Sequence, residues 1–288
     1  MIAVLIYGQF RSFKLNLMHN LHELFDEVTS DIHFYFLTEN CPDYENNKER
    51  VFEIINRYTN KNNIKCEIKY FENLDSSHYY NSAIEQQICK NYDYIQTRYK
   101  KDIFTPKLIY RRCLINEIMN NETKIKYDKV IFARLFDAIF KRCKSMDFIN
   151  DATDNKLYFG VDTLFLGKQE DMNILMKIDY ISNKININNI YDFQKFYIKF
   201  DECLGQMLPM CASEIIFASV IFNHFLDRCQ NLRFDLSKNA LQLYVTAQGD
   251  TIDNFDGYGI ANNCVNRNTE DYAVIILDPK RKEPKYCL

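Results

Sequence analysis

IAVLIYGQFRSFKLNLMHNLHELFDEV, residues 2–28, is the stretch that decides the fold. Residues 2–7 form an unbroken apolar, β-branched run, the mark of a strand buried on both faces, and Gly8 ends it. From Phe13 the period lengthens, with Leu17, Leu21, Leu24, Phe25 and Val28 recurring at helical spacing. A buried strand, a short turn GQFRS and an amphipathic helix make the opening of a βαβ unit.

Working outward, IHFYFL at 32–37 reads as a second strand leading into a polar loop at 38–47. Residues 50–58 have a helical pattern, and CEIKYF at 66–71 reads as a third strand. Strand, helix, strand, helix, strand predicts a parallel sheet with helical crossovers. The expected class is therefore α/β, with a Rossmann-like, mostly parallel sheet flanked by helices. Residues 72–101 are polar and Tyr-rich, predicting a loop and then a helix. Thr105-Pro106 forms a helix start, with Thr as N-cap and Pro at the first helical position. Leu108, Ile109, Cys113, Ile115, Ile118 and Met119 supply its apolar face. YDKVIFARLFDAIF, 127–140, is a hydrophobic strand that runs out into Arg134 and Asp137.

LYFGVDTLFL at 157–166 predicts a strand pair or one bent strand, followed by a helix over 170–178. Residues 213–229, SEIIFASVIFNHFLDRC, predict a helix with Ser213 as N-cap, and strands follow at 232–236 and 241–246. From Gln248 the tail reads as loop. No repeat and no Pro/Gly/Ser linker divides the chain. Residues 1–247 are expected to form one domain and residues 248–288 a C-terminal extension packed on it.

Composition narrows the function classes. Of 288 residues, 47% are hydrophobic and 15% aromatic, which suits a folded core and not wholesale disorder. The net charge of -3 comes from mixed acidic and basic residues, so no nucleic-acid partner is expected. Ten cysteines contain no CxxC pair, which predicts reduced thiols and a cytoplasmic location in preference to a zinc site or a disulfide framework. No stretch approaches the about 18 apolar residues of a membrane span, so any membrane association is expected to be peripheral.

Two places can carry chemistry. In open α/β sheets ligands sit outside the carboxyl ends of the strands, where helix N-termini favour anions. The turn Gly8-Gln9-Phe10-Arg11-Ser12 stands at such a place. Its single Gly matches neither GxGxxG nor a P-loop, so Arg11 would have to supply the positive charge. Position alone leaves open whether Arg11 meets phosphate or is a solvated first-turn residue. Arg134 and Asp137 form the second place: a carboxylate suits Mn²⁺ or Mg²⁺ and an arginine steadies phosphate, but a plain surface ion pair fits equally. Arg111 and Arg112 could reach phosphate, but the exposed side of their helix is the expected place. His19 and His22 do not match HExxH and read as structural or surface residues.

The segment YDKVIFARLFDAIF resembles the YD-x-V-I-x-x-R-x-D block of GT-A-like glycosyltransferases that build bacterial surface polysaccharides and some large-virus glycans. Three further segments resemble that family in its order: MIAVLIYGQFRSF, TPKLIYRRCLINEIM, and FGVDTLFLGKQEDMNIL followed by ASEIIF. The resemblance covers roughly residues 1–225. It implies a GT-A-like fold and metal-assisted sugar transfer from a nucleotide-sugar donor to a glycan or other hydroxyl acceptor. It also implies that Gly8, Gln9 and Arg11 contact the nucleotide or its phosphates, with Arg134 alongside. Asp137 is implied at the divalent metal (Mn²⁺ or Mg²⁺) or the donor sugar, and Glu214 at the sugar or acceptor as base. Glu214 also fits a first helical turn with no catalytic role, because the macrodipole favours acids there. Asp162 is a second-choice carboxylate. The chain departs from the block in one respect: Leu135 and Phe136 both separate Arg134 from Asp137 where the family has one residue. Either the strand bulges there, or Arg134 is not the matching arginine. The other readings are a non-catalytic carbohydrate- or protein-binding module with the same fold, and a nucleotidyltransferase, which would want a glycine-rich N-terminal loop.

Overall fold

A computed structural model describes residues 1–8, 10, 13–39, 41, 43–74, 104–122, 124–136, 138–140, 148–160, 164–177, 192, 212–231 and 274–276. The strands are β1 (Ile2–Gly8), β2 (Ile32–Glu39), β3 (Cys66–Leu74), β4 (Lys129–Ala133), β5 (Ala138–Phe140), β6 (Leu157–Gly160), β7 (Leu164–Gly167), β8 (Cys229–Asn231) and β9 (Val274–Ile276). The helices are α1 (Phe13–Phe25), α2 (Tyr44–Asn62), α3 (Phe104–Glu122), α4 (Gln169–Leu175) and α5 (Ala212–Phe225), with a 3-10 turn at Leu226–Arg228.

Seven strands form one sheet in the order β3-β2-β1-β4-β7-β6-β8. β7 runs antiparallel to both its neighbours, and every other pairing is parallel. The expected α/β class with a mostly parallel sheet flanked by helices is what the chain adopts. β1 earns the central position: residues 2–6 are at most 1% exposed, as a both-faces-buried strand requires. One core packs α1 and α2 on one face, where Leu17, Leu21, Leu24, Val51, Ile55 and Tyr58 meet Val4, Ile6, Phe34 and Phe36. A second core packs α3, α4 and α5 on the other face, against Ala3, Leu5, Tyr35, Phe132 and Phe165. Among the described residues no helix is long and apolar enough to cross a membrane.

Several local expectations are corrected. The 127–140 segment is not one strand: β4 stops at Ala133, Leu135 and Phe136 turn, and β5 leaves to pair antiparallel with β9. The extra residue between Arg134 and Asp137 therefore sits in a turn and not in a bulge. Residues 157–166 form a strand pair, β6 and β7. α3 begins at Phe104, so Thr105 lies inside it, and α5 begins at Ala212, so Ser213 is helical and not a cap. The strands expected at 232–236 and 241–246 lie outside the described residues, and the tail expected as loop contains β9.

Candidate functional site at the carboxyl edge

From β1 the chain moves to β2 and β3 on one side, then to β4 on the other. The order therefore reverses between β1 and β4, which makes their carboxyl ends the topological switch point where doubly wound sheets bind ligands. β1 ends at Gly8. Its φ of +152° is a backbone angle that side-chain-bearing residues rarely adopt, and a Cβ built there meets no described residue within 4 Å. Gly8 is thus present for backbone conformation.

Across the switch point the two turns meet through aromatic rings. Phe10, from the turn after β1, lies 5.3 Å from Phe136, from the turn after β4. Both are buried, and Phe136 also stacks on Phe36 at 5.8 Å and an interplanar angle of 10°. A hydrogen bond fixes the second turn: buried Asn20 of α1 donates through Nδ2 to the Leu135 carbonyl at 2.9 Å. That bond joins the helix following the first turn to the turn following β4.

Of the sequence-predicted site residues, Gly8 and Arg134 are described. Arg134 stands half-buried immediately after β4, two residues from Phe136. Gln9, Arg11, Asp137 and Asp162 lie outside the described residues. Glu214 is described as backbone, in the first turn of α5. One turn on, Phe217 lies 4.9 Å from Phe165, which pairs with Phe132 at the carboxyl end of β4. His22, expected to be structural, holds Asp26 at 2.9 Å on the surface.

Arg111 and Arg112 are a correction. Both are buried, at 2% and 1% exposure, where an exposed helix side was expected. α3 packs on β1 and β2 and also on α4 and α5, so it has no long side left to water, and both arginines lie near strand residues. Arg111 is held below the usual guanidinium range by burial, with the neighbouring Tyr7 opposing. Arg112 lies with its guanidinium carbon 5.7 Å from the centre of the Phe132 ring. Tyr7 and Phe132 are the penultimate residues of β1 and β4, so both cations sit beneath the switch point.

Beyond Gly8 the edge continues as a row. Register aligns Gly8 with Thr38 of β2, and Thr38 with Asn73 of β3. The Thr38 hydroxyl donates to the Glu72 carbonyl at 3.2 Å and to Asn73 Oδ1 at 3.3 Å, and the Cys41 N–H reaches the same oxygen at 3.5 Å. Burial pushes the Cys41 thiol up, against hydrogen bonds from Phe10 and Thr38. Cys41, Cys66, Cys113 and Cys229, the described cysteines, are unbridged. Among the described residues no three His, Cys, Asp or Glu side chains group as a metal site.

No family model matches the chain, and no curated protein matches its sequence. Among solved structures, mouse xyloside xylosyltransferase 1 in its apo form is similar at a TM-score of 0.39 and 10% identity, over 90% of this chain and 91% of that one. The glycosyltransferase GlyE of Streptococcus pneumoniae TIGR4 is similar at a TM-score of 0.39 and 12% identity, over 98% of this chain and 55% of that one. The chain thus spans about half the length of GlyE. Likeness at this level fixes neither a donor nor an acceptor.

Proposed function

We propose that this chain is a GT-A-like glycosyltransferase that moves a sugar from a nucleotide-sugar donor to a hydroxyl of a glycan or another acceptor. The observation that carries the reading is the Phe10–Phe136 contact at the switch point. Phe10 is flanked in the chain by Gln9 and Arg11, and Phe136 is followed by Asp137. In this reading Gly8 gives the diphosphate close access to backbone, and Arg11 and Arg134 supply positive charge to its oxygens. Glu214 takes the proton of the acceptor hydroxyl as that oxygen bonds to the anomeric carbon and the bond from that carbon to the phosphate oxygen breaks. A divalent cation, Mn²⁺ or Mg²⁺, would be held by Asp137 and would neutralise charge on the departing nucleoside diphosphate.

Thermal denaturation with nucleoside diphosphates and Mn²⁺ tests the reading. A ligand that binds only the folded chain stabilises it by about 2.7 kcal/mol at 100 times its Kd. Asp137→Ala should abolish turnover while leaving the unfolding midpoint unchanged, and an unaltered rate would remove Asp137 from the reaction. Stabilisation by glycans, with none by nucleotides, would turn the reading into a carbohydrate-binding module.

A further inference from the structure

We propose that Asn73 reads the nucleobase of the donor and selects bases carrying a keto oxygen at the edge remote from the ribose: uracil, thymine or guanine, over cytosine or adenine. This rests on the nucleotide-sugar reading above and deepens it.

The argument starts from the Asn73 amide. Its Oδ1 takes hydrogen bonds from the Thr38 hydroxyl and the Cys41 N–H. The reverse flip would set an amino group against an N–H that can only donate, so chemistry fixes the orientation. Thr38 is fully buried and Cys41 nearly so, which holds the two donors in place. The Nδ2 amino group makes no hydrogen bond to any described residue, and Asn73 is half-buried at the end of β3. A held amide with its acceptor occupied is a donor only.

Its place in the row says what it meets. A diphosphate over the first βα turn lies above Gly8, and in doubly wound sheets the ribose lies at the end of the next strand outward. Gly8, Thr38 and Asn73 are in register on β1, β2 and β3. Two strand spacings, about 10 Å, separate the first from the last. A nucleotide laid along that row sets its phosphates at β1, its ribose at β2 and its base at β3. There a lone donor matches the O4 of uracil or thymine and the O6 of guanine, and it opposes the amino groups of cytosine and adenine.

The experiment is calorimetric titration of the full chain with UDP, TDP, GDP, CDP and ADP in the presence of Mn²⁺. The keto group should bind about tenfold more tightly than the amino group, the effect of one matched hydrogen bond against two opposed donors. Asn73→Asp keeps an oxygen toward Thr38 and Cys41 and turns the outward atom into an acceptor, so it should reverse the order in favour of CDP and ADP. Equal binding of all five by the unaltered chain overturns the inference and needs no variant. An unchanged order in Asn73→Asp overturns it as well, with the nucleotide-sugar reading intact. Failure of every nucleoside diphosphate to bind removes that reading, and this inference with it.

Discussion

At its amino edge the sheet is closed by hydrogen bonds between side chains, whereas its carboxyl edge ends in a positive-φ glycine and an amide whose amino group makes no hydrogen bond to any described residue. On the amino side, the Tyr127 hydroxyl meets His33 Nδ1 at 2.9 Å and the Tyr35 hydroxyl at 2.7 Å. The Tyr127 N–H donates to Gln169 Oε1 at 2.8 Å, and Gln169 Nε2 donates to Asn120 Oδ1 at 2.8 Å. Lys129, 1% exposed at the start of β4, donates to the Asp154 carbonyl at 2.8 Å. On the carboxyl side stand a glycine with positive φ and the held Asn73 amide, with two buried guanidinium groups beneath. Closed polar networks fix a fold, while a preorganised donor such as the Asn73 amide suits a ligand. The contrast teaches that substitutions at the two edges should separate stability from binding.

The largest expected effect breaks that separation on purpose. Phe136 packs among Phe10, Phe13 and Phe36, so Phe136→Ala should cost about 3–5 kcal/mol and abolish nucleotide binding together with it. Phe136→Leu keeps most of the volume and should lose far less stability, yet it loosens the join between the two turns. Urea unfolding beside nucleotide titration would show whether binding falls further than stability does. Proportionate loss in both would mean that the aromatic join is only core.

Tyr127→Phe should act at the other edge alone. Removing the hydroxyl leaves His33 and Tyr35 each short of a buried partner, at a cost of about 1–3 kcal/mol. Nucleotide affinity should stay as it was. A change in affinity without a change in stability would erase the distinction between the edges.

How far each edge can be read from sequence differs for physical reasons. β1, α1 and β2 are legible because long runs of fully buried residues carry a clean period. α2 extends from Tyr44 to Asn62, well beyond the 50–58 pattern, because its outer turns are charged, exposed and lack an apolar stripe. α5 stops at Phe225 although its apolar pattern continues to Cys229. The following 3-10 turn brings Arg228 onto buried Asp171 at 2.6 Å and the Asn155 carbonyl at 2.7 Å, which local propensity does not encode. At the candidate site, Gly8 announces itself in sequence. Arg111 and Arg112 mislead, because helical amphipathicity assumes that one side faces water, and α3 packs on strands and helices alike. Asn73 is invisible, since its significance lies in bonds to residues 35 and 32 positions away.

The smallest predicted effect uses pH to probe the amino edge. His33 is 4% exposed, and its pKa is lowered from 6.5 first by burial and then by Lys69, with Glu67 and Asp31 opposing and Lys65 assisting. The Tyr127 hydroxyl faces it from the segment that leads into β4. The folded chain therefore holds His33 neutral at a pH where the unfolded chain has begun to protonate. Between the lowered pKa and 6.5 the unfolded state binds more protons, so stability rises with pH across that window. It is complete above 6.5 and falls as pH drops below that value toward the folded pKa. Urea unfolding at steps from pH 7.5 down to 5 should show this slope, and His33→Gln should flatten it. An equal slope in His33→Gln would mean that carboxylates elsewhere set the acid response. A loss of nucleotide affinity in His33→Gln at pH 7.5 would show instead that the two edges communicate through β2.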